Sequence, residues 1–290
     1  MVDINNMRHE KSVLAFSKMQ GTGDDYIFFN NIDGVITCPE SFAIEFTDRH
    51  RGIGGDGIVL IESSDIADAK MRIFNRDGSE GEMAGNSIRC VGKYLYDNKI
   101  VNKESITVET ASGIRSLELF TRNGKVSSVT VDMGRAYLKP QEIPANLDGE
   151  SIIARKAVIA GKEYGITCVS VGNPHCVVFV DNVDRVDIES VGPKIENADL
   201  FPERINTEFV RVVNSRTLKM RVWERGNGET LACGTGACAA AVAAVLEGKC
   251  EKGKDITVKL RGGDLIVNYT DKKITLTGDC NLVFTGKIEY

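Results

Sequence analysis

The chain has 290 residues, of which 42% are hydrophobic and 27% are charged, and its formal net charge is −5. This composition is typical of a soluble globular protein, and the length predicts two domains because a domain usually holds about 100–200 residues. The lack of a basic surplus excludes a protein built to bind nucleic acid, whose phosphates must be neutralised. No apolar run approaches the ~18 residues that a membrane span needs. Residues 1–13 lack an apolar signal core, so we interpret them as a flexible tail.

Eight cysteines are scattered along the chain, with no CxxC pair and no Cys/His spacing typical of zinc. We therefore predict no bound metal. Scattered thiols without an export signal predict a reducing, cytoplasmic location. Most of these cysteines are expected to be small buried residues.

Short runs rich in β-branched and aromatic residues predict strands throughout the chain. In the first half they cover 27–29, 58–61, 70–75, 105–109, 116–120 and 128–133. In the second half they cover 156–159, 166–171, 176–180, 209–213, 218–223, 256–260, 264–269 and 273–277. Helical patterns are few, and the two main ones cover 87–98 and 237–247.

A glycine-rich segment at 52–57 matches the pattern GxGxxG. A dinucleotide-binding turn should leave a strand and open a helix, whereas here a predicted strand follows. We interpret this segment as a loop.

Residues 84–91 align with residues 233–240, and the offset of 233 − 84 = 149 residues is close to half the chain. Each segment opens a predicted helix after a strand and a polar, acidic stretch. The repeat favours an internal duplication with two similar domains facing each other. The alternative is a chance similarity between two glycine-containing helix starts.

The second of these helix starts has the chemistry of an anion site. Cys233 and Gly234 precede an alanine-rich, apolar helix that should be buried. The first amides of a helix lack partners and carry partial positive charge, so a carboxylate binds well there. The same position should make the Cys233 thiol ionise more easily than a free cysteine, whose pKa is about 8.5. A structural cysteine in a tight turn is the alternative, and this motif alone does not decide between them.

The first helix start offers a similar site but lacks the thiol. Gly85 and Asn86 correspond to Gly234 and Thr235, and we expect Ser87 to cap the helix. Ala84 stands where the second start has Cys233, and its methyl group can neither donate nor accept a proton. Cys90 does not replace it, because six residues of helix place it ~9 Å further along.

Several motifs together resemble the diaminopimelate epimerase family. They lie at 16–19, 72–80, 85–86, 172–176, 201–206 and 224–237, in the family's order, and span the chain after the tail. The resemblance implies an α+β fold of two pseudo-symmetric domains. Each is a curved, mostly antiparallel sheet wrapped around a central helix, and the active site lies in the cleft between them. It assigns 1–131 plus 279–290 to the first domain and 132–278 to the second.

The resemblance also implies a mechanism without cofactor or metal, in which two cysteines act on opposite faces of the substrate's α-carbon. Cys233 is one of them, and the position of Ala84 is the other. His175 and Glu224 tune the thiols, and Arg225 pairs the distal carboxylate in bidentate fashion. The implied substrate contacts are Asp24, Asn75, Gly85, Asn86, Asn173, Asn206, Glu224, Arg225, Gly234 and Thr235. A homodimer is implied as well.

Three positions depart from the family's pattern: Ala84, Asp24 where the family has Asn, and Gly57 where some members have Gln. Ala84 has three explanations: an engineered knockout, a natural inactive relative, or one-sided proton exchange. We expect the protein to interconvert LL- and meso-2,6-diaminopimelate, a precursor of lysine and peptidoglycan. We also expect Ala84 to impair this activity severely. The alternatives are a racemase of another amino acid, such as histidine, and a catalytically dead amino-acid-binding relative.

Overall fold

The computed structural model describes residues 13–81 and 85–289. The N-terminal tail up to residue 12 therefore lies outside the described residues. The strands of the first half are β1 (Val13–Gly21), β2 (Asp24–Asn30), β3 (Gly57–Glu62), β4 (Ala69–Asn75), β5 (Glu80–Gly81), β6 (Ser105–Thr110), β7 (Gly113–Arg122) and β8 (Lys125–Gly134). Those that follow are β9 (Arg155–Ile159), β10 (Lys162–Ser170), β11 (Pro174–Phe179), β12 (Asn206–Asn214), β13 (Thr217–Glu224), β14 (Gly228–Thr230), β15 (Asp255–Lys259), β16 (Asp264–Tyr269), β17 (Ile274–Asp279) and β18 (Asn281–Glu289). The helices are α1 (Pro39–Phe46), α2 (Gly85–Asp97), α3 (Ile188–Glu196) and α4 (Gly234–Leu246).

Every strand predicted from the sequence overlaps a strand of the structure, and both main predicted helices are present. The helices begin earlier than predicted, at Gly85 and Gly234, because their glycines continue the helical backbone. Ser87 is therefore a buried residue of the first turn and not the cap, so that prediction was wrong. The glycine-rich segment is a loop followed by β3, as predicted.

Helices α1 and α3 and strands β1, β5, β14 and β18 were not predicted. Both helices are short, and α3 contains Pro193, a residue that normally breaks a helix. Strand β18 is largely exposed along its length, so it lacks the alternation that marks a half-buried strand. Packing against neighbouring elements, rather than local sequence pattern, determines the structure of α1, α3 and β18.

The strand pairing of the first half recurs in the second. Strands β2 and β3 pair in parallel, β3 and β4 pair antiparallel, β4 turns back into β5, and β6 pairs parallel with β4 after helix α2. In the second half, β11 and β12 pair in parallel, β12 and β13 pair antiparallel, β13 turns back into β14, and β15 pairs parallel with β13 after helix α4. Helices α2 and α4 start 149 residues apart, at 85 and 234. Chance similarity does not reproduce a whole pairing pattern, so the duplication is confirmed.

The two central helices lie at the heart of one continuous apolar core. The middle of α4 consists of small residues with no solvent exposure, which lets the surrounding strands approach closely. Strands β8 and β17 pair across the two halves, and β18 returns to pair with β1. The predicted domain boundaries fall within β8, at Val131, and at the end of β17, at Asp279, and they stay a prediction.

The first residues of the two central helices meet. A Cβ added to Gly85 would lie 3.8 Å from the Cα of Gly234, and one added to Gly234 would lie 3.5 Å from the Cα of Gly85. Glycine at both positions therefore allows two helix N-termini to converge on one place. Across the described ranges, none of the helices is both long and apolar enough to cross a membrane.

Candidate active site

A cavity of about 250 Å³ lies where the two helix starts meet, and both halves of the chain line it. The predicted site residues in its wall are Asp24, Gly85, Asn86, Asn173, Glu224, Cys233, Gly234 and Thr235. Ser112 and Arg115 also line it and were not predicted. Ala84, the predicted position of the missing thiol, lies outside the residues that the structure describes.

A larger cavity of about 820 Å³ adjoins the first and shares Asp24 and Glu224 with it. Asn75 lies in its wall, together with three arginines, Arg49, Arg76 and Arg261. A ligand that reaches from one cavity into the other would therefore meet charged and amide groups at both ends.

Asn206 and Arg225 contact each other beside these cavities. The buried Asn206 donates from Nδ2 to the backbone oxygen of Pro174 at 2.8 Å and accepts the backbone N–H of Arg225 at 2.9 Å. The Arg225 guanidinium donates to the backbone oxygen of Glu203 at 3.0 Å. Among the described residues, neither side chain lines the two cavities. Their contact with a distal carboxylate stays a prediction.

Cys233 precedes the first turn of α4, and its Sγ accepts the backbone N–H of Gly236 at 3.4 Å. Burial raises the pKa of the Cys233 thiol well above its usual value, and the charges of Glu224 and Glu208 raise it further. Hydrogen bonds from Thr235 and Gly236 act in the opposite direction without overcoming them. The prediction of an easily ionised thiol was therefore wrong, because desolvation outweighs the helix start. The Cys233 thiol therefore holds its proton more tightly than a free cysteine does.

Glu224 is the group placed to take that proton. Its carboxylate is hydrogen-bonded by the Cys233 thiol and by the Thr230 hydroxyl. Burial raises the pKa of Glu224 above its ordinary value, although these hydrogen bonds and the nearby His175 oppose the shift. A carboxylate with increased proton affinity, in contact with a thiol, suits proton exchange between the two.

Asp24 faces the same cavity from the first half of the chain. Its Oδ2 accepts a hydrogen bond from Asn86 Nδ2 at 2.5 Å. Burial raises the pKa of Asp24 to about 7, and the charges of Glu224 and Asp56 act in the same direction. The Asp24 carboxyl therefore takes up a proton more readily than an ordinary aspartate, and in that form it offers a hydrogen-bond donor to the cavity.

The raised pKa of Asp24 predicts a pH-dependent effect of Asp24→Asn on stability. The carboxyl titrates near 4 when unfolded and at about 7 when folded. Folding therefore favours the neutral form, and stability falls as the pH rises from about 4 to about 7. We expect Asp24→Asn to raise the free energy of unfolding at pH 8 by about 2 kcal/mol, after allowance for solvent screening, and to change it little at pH 4. Urea unfolding at both pH values measures this, and an equal change at both would contradict it.

His175 is fully buried beneath the cavity, with both ring nitrogens engaged. Its Nδ1 lies 2.7 Å from Oε1 of Glu208, and its Nε2 lies 2.9 Å from Oδ1 of Asn173. Sequence reasoning missed Glu208, because one carboxylate in a strand pattern resembles a surface position. Only its pairing with His175, 33 residues earlier, reveals its place in the site.

Arg89 is a second buried residue that the sequence analysis missed. It has no solvent exposure and donates to the Thr22 hydroxyl at 2.6 Å and to the backbone oxygen of Gly85 at 2.9 Å. It therefore fixes the start of α2 against the loop that carries Asp24. A charged residue on the apolar face of a helical pattern was the available signal.

Gly57 is required by its surroundings. A Cβ there would lie 2.3 Å from the backbone oxygen of Phe74 and 2.6 Å from the ring of Tyr26. Any larger side chain at this position would need the Tyr26 ring and the neighbouring strand to shift.

Solved structures share this fold. A hydroxyproline epimerase from Agrobacterium vitis superposes with a TM-score of 0.69 and 14% identity, over 96% of this chain and 92% of that one. A probable proline racemase from Agrobacterium radiobacter gives a TM-score of 0.69 and 14% identity, over 95% and 92%. A Bacillus anthracis protein of the PhzF family gives 0.68 and 16%, over 96% and 99%.

The relatives that are about half identical to this chain identify it as an enzyme of the epimerase class. The family profile named Diaminopimelate epimerase matches residues 16–139 and 167–283. The chain belongs to the diaminopimelate epimerase family, as its motifs predict. A diaminopimelate epimerase of Acetivibrio thermocellus is 52% identical over 278 residues, which are 95% of this chain and 99% of that protein. One from Phocaeicola vulgatus is 50% identical over 281 residues, 96% and 99% of the two chains.

Proposed function

We propose that the site of this chain is built to interconvert LL- and meso-2,6-diaminopimelate by proton transfer at the α-carbon. The observation that carries the proposal is one small cavity with two converging helix starts in its wall and the Cys233 thiol at one of them. Two helix N-termini bind a carboxylate and stabilise the negative charge that develops when the α-proton leaves.

In this proposal the reacting carboxylate binds to the backbone amides at the two helix starts, with Asn86 and Thr235 beside it. Glu224 takes the proton of the Cys233 thiol, and the resulting thiolate removes the α-proton from the face that it contacts. The carbanion must then receive a proton on the opposite face. There the family uses a second cysteine, and this chain has Ala84. Epimerisation should therefore be severely reduced.

The adjoining cavity supports a substrate with a second charged head. Its wall carries Asn75 and three arginines next to Asp24 and Glu224, so it can hold both a carboxylate and an ammonium group. Arg225 and Asn206 lie close by and would complete the distal contacts when the cleft closes. An amino acid with a single head would not reach these groups.

Equilibrium binding tests the substrate. We expect isothermal titration of the unaltered chain to show that LL- or meso-diaminopimelate binds at least tenfold tighter than histidine or lysine, which lack the distal amino-acid head. The missing catalytic side chain is an advantage here, because slow turnover leaves the ligand unchanged during the titration. Tight binding of histidine with weak binding of diaminopimelate would assign the site to another racemase.

We further propose that the protein is a cytoplasmic homodimer without a nucleic-acid or membrane partner. Support for the dimer comes from β18, which pairs with β1 and whose Leu282, Val283 and Phe284 are about half exposed. An apolar edge strand of this kind favours association with a second copy. We expect analytical ultracentrifugation to find a dimer that Val283→Glu dissociates, with a matched Val158→Glu control unaffected. A monomeric unaltered chain would contradict the proposal.

A further inference from the structure

Strand β12 carries one carboxylate into the interior beneath the cavity. Glu208 has no solvent exposure, and its Oε1 lies 2.7 Å from Nδ1 of His175. Its other oxygen, Oε2, has no hydrogen-bond partner within the described part of the chain. Burying a charged group costs free energy unless a partner compensates it. The His175 ring is therefore the group on which this buried charge depends.

A continuous series of hydrogen bonds leads from Glu208 to the reactive thiol. His175 Nε2 lies 2.9 Å from Asn173 Oδ1, and Asn173 Nδ2 donates to the Thr235 hydroxyl at 3.2 Å. The Thr235 hydroxyl lies 3.5 Å from Cys233 Sγ. We call these five residues the Glu208 chain.

The atoms that face each other along the Glu208 chain indicate the direction of its bonds. A carboxylate can only accept, so His175 Nδ1 donates to Glu208. Asn173 faces the ring with its oxygen, which can only accept. Asn173 then presents its NH₂ group to the Thr235 oxygen, which leaves the Thr235 hydroxyl hydrogen free to point at the sulfur.

We propose that Glu208 is a positioning residue that holds His175, and through it Asn173, in this arrangement, so that Thr235 donates a hydrogen bond to the Cys233 sulfur. The proposal rests on the catalytic role proposed for Cys233. A donor to sulfur favours the thiolate, against the burial and the carboxylates that oppose it. Glu208 thus has two opposed effects on the thiol. Its charge disfavours ionisation, and its hydrogen bonds, passed through His175, favour it.

The rate at which iodoacetamide alkylates Cys233 at pH 8 separates these effects. Mass spectrometry of the Cys233 peptide distinguishes it from the exposed Cys38. Loss of one hydrogen bond to the thiolate should slow alkylation about fivefold in Thr235→Val and less in Glu208→Gln, which also removes a charge that disfavours the thiolate. Glu208→Gln should not slow alkylation further in a Thr235→Val background, because both changes remove the same bond. Glu224, Asp24 and His175 also face this region, and they remain in all of these variants.

Glu247→Gln is the matched control. Glu247 also accepts a hydrogen bond, from Thr167, but it lies just beyond the C-terminal end of helix α4, whereas Cys233 lies at the N-terminal end. This control should leave the rate unchanged, and Thr235→Ser, which keeps the hydroxyl, should restore it. Faster alkylation in Glu208→Gln would show that only its charge matters and would overturn the proposal, as would losses that add in the double variant.

Asn173→Ala provides a second test in case the Glu208→Gln protein does not fold. Asn173 belongs to the same chain of hydrogen bonds but lies at the cavity wall. This variant should slow alkylation to the same extent as Thr235→Val and show the same non-additivity with it. Alkylation requires no substrate, so this result is independent of whether diaminopimelate binds.

Discussion

Replacing Ala84 by cysteine should raise the rate of interconversion of LL- and meso-diaminopimelate by at least about 10²–10⁴-fold. That is the usual contribution of one general acid–base group, and here the group restores the missing proton donor on one face of the α-carbon. The rest of the site is in place: Cys233, Glu224 and the two converging helix starts line one cavity. The measurement compares the unaltered chain with Ala84→Cys under reducing conditions, because two facing thiols can oxidise to a disulfide.

Ala84→Ser is the matched control for this gain. It adds a group of similar size and position, but a hydroxyl is far too weak an acid and base to replace a thiol. We expect it to leave the rate near that of the unaltered chain. If Ala84→Cys also shows no turnover while diaminopimelate binds tightly, the site holds its ligand without the geometry for proton transfer. That result would favour a catalytically dead amino-acid-binding protein.

The second large effect concerns Cys233 in the unaltered chain. With one thiol present, the enzyme should exchange the α-proton of one diaminopimelate stereoisomer with solvent while retaining its configuration. Cys233→Ala should reduce this exchange by about 10²–10⁴-fold. In heavy water, mass spectrometry should find the gain of one deuterium in LL- or in meso-diaminopimelate, but not in both. Since the pKa of Cys233 is raised, the exchange rate should increase with pH through the alkaline range.

Cys238→Ala is the control for this loss. Cys238 lies on the same helix, is equally buried and is absent from the wall of the cavity within the described residues. It should therefore leave the exchange unchanged. Equal loss in both variants would indicate damage to the helix, and exchange that survives Cys233→Ala would assign the base to another group.

Local sequence patterns determined where most strands and the two central helices of this molecule lie. Short runs of β-branched and aromatic residues placed most of the strands, and the repeated helix starts at Gly85 and Gly234 revealed the duplication before any pairing was known. These features depend on residues close together in sequence, so composition and spacing record them. The motif around Cys233 likewise predicted where the thiol lies, since a glycine-rich turn before an alanine-rich helix has few other structures.

The electrostatics of the site were decided only by the tertiary structure. The sequence predicted an acidic thiol at Cys233, but burial and the charges of Glu208 and Glu224 raise its pKa. The raised pKa of Asp24 depends on Glu224, which lies 200 residues further along the chain. No local pattern contains such pairs. The sequence by itself determined the family, the duplicated fold and the place of the thiol, because these follow from short-range patterns and motifs. Folding decided which charges are desolvated together, and desolvation sets the proton affinities on which the chemistry depends.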